Sequence, residues 1–360
     1  MDVTSIKAVI KDLQKNIIPS RFEKAQQPDN QTLQIGLRTL KGLTWIELCW
    51  NCESARLVEI TTPPRIGTKS TLAQQIQYGL KDLALISINQ KGFERIVEFH
   101  LALRPGDPIQ KVLILELMGR YSNIFLLNEH KKIITIGRQI RSHQSRLRPV
   151  STGDAYVSPP PLRGIPPNKE EPFYRWKERL TLLPINLKDA LQQTYQGISP
   201  SLALQLVNEE KKSAEEILNL NAKNISSTLW KEIFFRWSTW LSQLDRKEPS
   251  LYFSGPTDFM HWSTEIKSYS EKNISRKLGD YYQENITTKK IIAISEKLNN
   301  NLKRLKTEEQ KELKNQENLL SKTKENNTIK QEADKILCLK SPSKAKIEEA
   351  QKLYKKSKKL

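Results

Sequence analysis

Four arginines, Arg138, Arg141, Arg146 and Arg148, stand within 11 positions with no acid among them. A guanidinium is a planar fork that grips phosphate or a base edge through two parallel hydrogen bonds, and a run of Arg without Lys favours phosphate recognition over plain solubility. Upstream, Arg120, Tyr121, Ser122 and Asn123 combine a fork, a stacking ring and two adaptable polar groups, a set suited to single-stranded or folded RNA. A structural turn accounts for the Ser and Asn equally well. Glu94 and Arg95 follow Gly92 at the head of an apolar strand, in "QKGFERIVEF". There the acid can orient its neighbour's guanidinium for bidentate contact, and a solvated ion pair is the plainer alternative. In "GISPS", residues 197–201, Ser199 heads a helix whose backbone N–H groups can hold a phosphate, or it simply joins two helices.

Against these binding features the chain offers no catalytic constellation. Its four histidines, at 100, 130, 143 and 261, lie in unrelated segments, with no H-E-x-x-H pair, no phosphate-cradling Gly-rich loop with Lys and no G-x-S-x-G elbow. Cys49 and Cys52 form a C-x-x-C, but no second pair or nearby His completes a zinc site, and three cysteines are too few for a disulfide framework. The expectation is a binding protein without catalytic activity, cofactor, metal or small-molecule substrate. With 59 Lys+Arg against 40 Asp+Glu, the formal charge of +19 directs it to polyanions, nucleic acid before anionic lipid. No apolar stretch reaches membrane-span length and the opening "MDVTSIKAVIKDL" has no apolar signal core, so a cytoplasmic location without a membrane partner is expected.

The elements that must position these residues change character along the chain. Val3, Ile6, Val9, Ile10 and Leu13 recur at helical spacing, so an amphipathic helix comes first. Eight strand-length apolar runs follow: "QTLQIGL", "TWIELCW", "ARLVEI", "ALISINQ", "RIVEFHL", "VLILEL", "NIFLLN" and "KIITIG", interrupted by the more helical "KSTLAQQIQYGLKDL". They predict an α+β domain with a mostly antiparallel sheet or sandwich over 1–157. Residues 158–172 hold six prolines in 15 positions and read as a stiff linker. A helical domain over 173–279 contains "YQGISPSLA", where Gly197 ends one helix in a left-handed conformation, Ser199 caps the next and Pro200 fits its first turn, a helix-hairpin-helix layout. A small hairpin is expected in "LYFSGPTDFMHWS". Residues 280–341 lack Gly and Pro, and carry Ile291, Ile294, Leu298, Leu302, Leu305, Leu313 and Leu320 amid polar residues. Together with "SPSKAKIEEAQKLYKKSKKL" they read as a long antiparallel coiled-coil arm over 280–360, incomplete at its end.

Several of these segments together resemble the NFACT family, which takes in RqcH-type and fibronectin-binding-protein-A-like members. The most specific is "ELMGRYSNIFLLNE", similar to the family's "MGRHSNI" strand with Tyr121 in place of His; the opening helix, "QKGFERIVEF", "YQGISPSLA", "LGDYY" and the C-terminal "SPSKAKIEEAQKLYKKSKKL" agree with it. The resemblance implies an N-terminal domain like that of formamidopyrimidine-type DNA glycosylases, then the helix-hairpin-helix domain and the arm. It further implies a ribosome quality-control factor: one that binds the rRNA of a large ribosomal subunit obstructed by peptidyl-tRNA and recruits tRNA, alanyl-tRNA in bacterial members, for untemplated C-terminal tailing. Asp2, Glu94, Arg95, Arg120 and Asn123 fall on the family's tRNA-binding or signature positions, Glu94 departing from the family's Asp by one methylene. Arg138, Arg141, Arg146, Arg148 and Ser199 are further candidate phosphate contacts. Two rival readings are a glycosylase or lyase, for which Asp2-Val3 replaces the catalytic Pro-Glu opening, and a fibronectin-binding adhesin. Family members usually carry a further C-terminal domain, which this sequence does not include.

Overall fold

A computed structural model describes residues 1–66, 70–246, 251–253, 259–260 and 273–358, which divide into two compact units, Met1–Ile286 and Thr287–Leu360. In the first unit, α1 (Val3–Ile17) opens on Asp2, whose carboxylate accepts the Ser5 N–H at 2.9 Å and satisfies one of the donors a helix start leaves unpaired. Its apolar stripe, Ile6, Val9, Leu13 and Ile17, is fully buried against the sheet.

Nine strands make one sheet: β1 (Ser20–Asp29), β2 (Thr32–Thr39), β3 (Gly42–Cys49), β4 (Arg56–Ile60), β5 (Ala84–Gln90), β6 (Ile96–Ala102), β7 (Lys111–Glu116), β8 (Asn123–Leu127) and β9 (Ile133–Ile136). Their order is β4-β3-β2-β1-β5-β6-β7-β8-β9, with every pairing antiparallel. The strand that joins the two halves, β1, is the one its sequence hides: "SRFEKAQQPD" buries only Phe22 and Ala25 as apolar residues. Helix α2 (Thr71–Gly79) makes the crossover that follows β4. The apolar runs of β7 and β8 are continuous because both of their faces are covered. Leu113, Leu115, Ile124 and Leu126 enter the main core, whereas Ile114, Phe125 and Leu127 pack under Val150 and Tyr156 of the segment that follows β9.

Five helices come next: α3 (Phe173–Thr181), α4 (Leu187–Thr194), α5 (Pro200–Val207), α6 (Lys211–Asn219) and α7 (Ser227–Leu244). They close around Trp176, Trp230, Trp237 and Trp240, whose rings meet Tyr195 and one another tilted or edge-on at 4.7 to 5.8 Å. Polar groups of α1 tie this bundle to the sheet domain. Trp240 Nε1 donates to Thr4 Oγ1 at 3.1 Å, and Lys11 Nζ donates to the Leu244 carbonyl at the end of α7 at 2.6 Å. The Pro-rich segment between the domains is anchored as well: Gln196 Nε2 donates to the Leu162 and Gly164 carbonyls. Beyond α7, β10 (Tyr252–Phe253) pairs with β11 (Phe259–Met260); residues 254–258 and 261–263 of that expected hairpin, His261 among them, lie outside the described residues.

The next helix, α8 (Ile274–Leu337), begins inside the first unit, so the composition boundary at 279/280 falls within a continuous helix. Ile274 and Leu278 are buried in the sheet domain's core, and Asp12 accepts both the N–H (2.8 Å) and the hydroxyl (2.5 Å) of Ser275. At Gly279 the helix backbone comes so close to β4 that an added Cβ would lie 2.3 Å from the Glu59 carbonyl oxygen. Gly279→Ala is therefore expected to lose about 1–3 kcal/mol as helix and strand move apart, read as a drop of a few degrees in the melting temperature. An unchanged melting temperature would show that this contact yields freely.

In the second unit, α9 (Lys344–Ser357) folds back on the last turns of α8, burying Ile329, Ala333 and Ala350, with Ser357 Oγ donating to Asn326 Oδ1 at 2.5 Å. Tyr354 donates to Asp334. The expected apolar seam is present but open: Ile291, Leu298, Leu302, Leu305, Leu313 and Leu320 are all about half exposed or more.

Candidate functional site

Four of the residues singled out in the sequence meet at one place although they span nearly 200 positions. The turn after β5 brings Gly92 to a φ of +58° and presents Phe93, over whose ring Lys7 Nζ sits at 4.3 Å. Gln90 Nε2 donates to the Glu94 carbonyl at 2.7 Å, and the Arg95 carbonyl accepts the Leu117 N–H at 2.8 Å, so the Glu94-Arg95 backbone is held on both sides. From the helical domain, Gly197 (φ +79°) turns the chain toward the same point. A side chain there would strain the backbone and press on Phe93 and Val3.

Ser199 joins the two domains. Its hydroxyl accepts the Leu202 N–H at 3.0 Å, capping α5, and donates to the second oxygen of Asp2, also at 3.0 Å. The starts of α1 and α5, each with a partial positive charge, thus converge on one carboxylate–hydroxyl pair. Arg95 lies beside them. Its guanidinium makes no hydrogen bond or ion pair with any described residue; Asp2 and Glu94 act on it through their fields. Burial draws its pKa below the ordinary arginine value against the pull of those two acids, and arginine starts so high that the cation persists at neutral pH. Glu94 accepts the Leu162 N–H of the linker at 3.2 Å, and its other carboxylate oxygen is buried without a partner.

Two cavities flank this junction, and Asp2, Arg95 and Ser199 line both. One, of about 330 Å³, is also lined by Phe93, Arg163 and Gln192; the other, of about 520 Å³, by Asn208, Lys211 and Tyr282. Gln192 Nε2 is buried without an acceptor beside the first. An unpaired fork and an unpaired amide donor in one cavity call for an acceptor-rich ligand, a phosphate or a base edge. Sequence reasoning missed Gln192, Arg163 and Lys211. Nothing local distinguishes them; only the packing of α4, α5 and the linker brings them to Arg95.

The signature hairpin divides its residues differently. Asn123, expected at a tRNA contact, is fully buried: its amide donates to the Arg138 carbonyl at 2.8 Å while its oxygen accepts the Arg138 and Ile124 N–H groups. With no accessible atom it fixes β8 to the strand-like stretch after β9 and cannot touch RNA. Arg148 is likewise withdrawn, because both of its terminal nitrogens bond the carboxylate of Glu116, at 2.8 and 2.6 Å. The run carries no acid of its own, but the fold delivers one from 32 residues upstream. Arg120, Arg138, Arg141 and Arg146 remain exposed. The C-x-x-C motif divides as well: Cys49 is buried beneath Thr32 while Cys52 is exposed.

Residues 2–346 match the family model for NFACT N-terminal and middle domains. A protein named Rqc2 homolog RqcH from Streptococcus suis is 25% identical over 335 residues, covering 90% of this chain and 55% of that protein. One of the same name from Bacillus subtilis is 30% identical over 126 residues, 34% of this chain and 22% of the relative. The chain spans about half the length of the first of these curated relatives. Among solved structures, the N-terminal part of a fibronectin/fibrinogen-binding protein from Streptococcus suis superposes with a TM-score of 0.57 at 20% identity, over 79% of this chain and 99% of that one. The fibrinogen-binding protein of Staphylococcus aureus gives 0.53 at 20% identity, over 75% and 92%. These two likenesses bear on the fold.

Proposed function

The chain belongs to the NFACT family, and from that premise we propose that it is an RNA-binding positioning factor of ribosome quality control. It binds the large ribosomal subunit obstructed by peptidyl-tRNA, recruits tRNA, alanyl-tRNA among them, for untemplated C-terminal tailing, and leaves bond formation to the ribosome. The observation that carries the reading is Arg95: a half-buried cation whose guanidinium has no partner among the described residues, set between two cavities where two helix starts converge. An arginine in that position is complementary to an anionic or acceptor-rich group. In this role Arg95 grips a phosphate or base edge of tRNA, Asp2 and Glu94 fix the direction of its fork, and Gln192 supplies a second donor. Exposed arginines of the hairpin and the formal charge of +19 add the sequence-independent attraction that brings RNA to the surface. The fibronectin- and fibrinogen-binding names of the structural relatives supply the rival, a protein-binding surface.

Co-sedimentation separates them. The chain is expected to travel with purified large subunits carrying peptidyl-tRNA, less with empty ones, and to dissociate steeply as salt rises. Absence from the subunit fraction together with saturable binding to immobilised fibronectin would overturn the proposal. Strand cleavage of abasic DNA would instead support the glycosylase reading.

A further inference from the structure

A third cavity, of about 450 Å³, lies between the 118–121 turn and the segment after β9, away from the Arg95 junction in sequence and in its lining residues. Its wall is largely apolar, from Met118, Ile140, Leu147, Pro159 and Pro160, with Gln144 and Ser145 as neutral polar groups among them. Leu147 remains 89% exposed at its rim and Tyr121 55%. The Tyr121 ring carries the Arg120 guanidinium at 4.8 Å. Arg138 is aimed by a bond from its guanidinium to the Arg120 carbonyl at 3.0 Å. Arg148, the one arginine of this wall with a carboxylate partner, is neutralised by Glu116. Arg138 lines the slot and Arg120 is held at its edge over Tyr121, both without a carboxylate partner among the described residues, and Arg141 and Arg146 are exposed on the segment that supplies the facing wall, so uncompensated guanidinium groups stand at a largely apolar slot.

We propose that this pocket is a nucleotide slot, which takes one unstacked base of single-stranded RNA against Tyr121 and Leu147 and places the adjoining phosphates on Arg120, Arg138 and Arg141. The inference rests on the RNA-binding reading and adds to it a second contact independent of Arg95. The charge selects this occupant. An apolar peptide would fill the wall but leave the Arg138 and Arg120 guanidiniums without counter-charge, whereas a nucleotide presents a π-face and phosphates together. The volume suits the match, since sites for small ligands begin at about 300 Å³. Unlike a phosphate track, a base slot discriminates between single strands, whose bases can splay out, and duplexes, whose bases cannot.

The test uses the whole chain with two probes at one salt concentration, a fluorescein-labelled single-stranded RNA octamer and its blunt duplex. Tyr121→Ala and Leu147→Ser, both at exposed positions, are expected to weaken the octamer roughly tenfold. The duplex should change less than about twofold, with the salt slope of octamer binding unchanged because no phosphate contact is removed. A 4-thiouridine in the octamer should crosslink to a peptide within residues 118–149. Equal loss for octamer and duplex, or no loss for either, would overturn the slot. If the wild-type chain binds tRNA but not the octamer, the slot fails while the RNA reading stands; if it binds neither, both fail. Displacement of the octamer by a proline-rich peptide that binds more tightly would reassign the pocket to peptides and overturn the proposal.

Discussion

Arg148→Ala is expected to lower the unfolding free energy by about 3–5 kcal/mol, the scale for removing one partner from a buried ion pair. Glu116 is wholly inaccessible, and its carboxylate takes two bonds from Arg148, whose guanidinium lies over the rings of Phe125 and Tyr156, and one from the Tyr156 hydroxyl, at 2.8 Å. Truncating the arginine strands that charge in an apolar layer. Because the attraction mainly offsets a desolvation cost, replacing both groups, Glu116→Leu with Arg148→Met, is expected to recover most of the loss. Chemical denaturation of the two variants beside the wild type measures both effects. A single variant as stable as the wild type would show that Arg148 is a free surface cation after all, and would return it to the RNA-binding face.

Arg95→Ala is expected to do the reverse: tRNA binding weakens by about 10- to 100-fold, the value of one charge-assisted contact, and the unfolding midpoint stays in place. The structure gives the reason for the split. The Arg95 guanidinium has no bond to a described residue to lose, so its removal leaves none of their buried groups stranded. Arg95→Lys should recover only part of the affinity, because an ammonium restores charge without the fork. Titration against labelled tRNA at several salt concentrations provides the measurement, with a fall in the salt slope of about one if the contact is a phosphate. A large loss of stability with unchanged residual affinity would make Arg95 a packing residue. Glu94 belongs to the same comparison, since one of its oxygens anchors the linker at Leu162 and the other has no partner; its extra methylene serves that anchor as well as any tRNA contact.

What the sequence made legible follows local rules. Gly197, Ser199 and Pro200 each have a conformational preference that acts within a few residues, and the turn they form has the left-handed glycine and the capping hydroxyl those preferences imply. Strands buried on one or both faces announced themselves through their apolar runs. The joining strand β1 did not, because "SRFEKAQQPD" is polar and owes its place to two neighbours rather than to its own pattern. The same limit applies to the site. That Ser199 donates to Asp2, 197 positions away, is a tertiary fact with no trace in either segment. Counting acids within the arginine run found none, yet Glu116 reaches Arg148 from a neighbouring strand. Asn123 looked equally fit for a structural place or for RNA, and its burial at the start of β8 shows the structural one.

The RNA-binding claim is tested most directly by recovering the tagged chain from cells with inhibited elongation and sequencing the RNA that comes with it, for the wild type and for Arg95→Ala. Large-subunit rRNA together with tRNA, the tRNA depleted in the variant while the rRNA persists, is the expected result. Recovery of neither RNA by the wild type, or an identical RNA profile for the variant, would contradict a tRNA contact at Arg95.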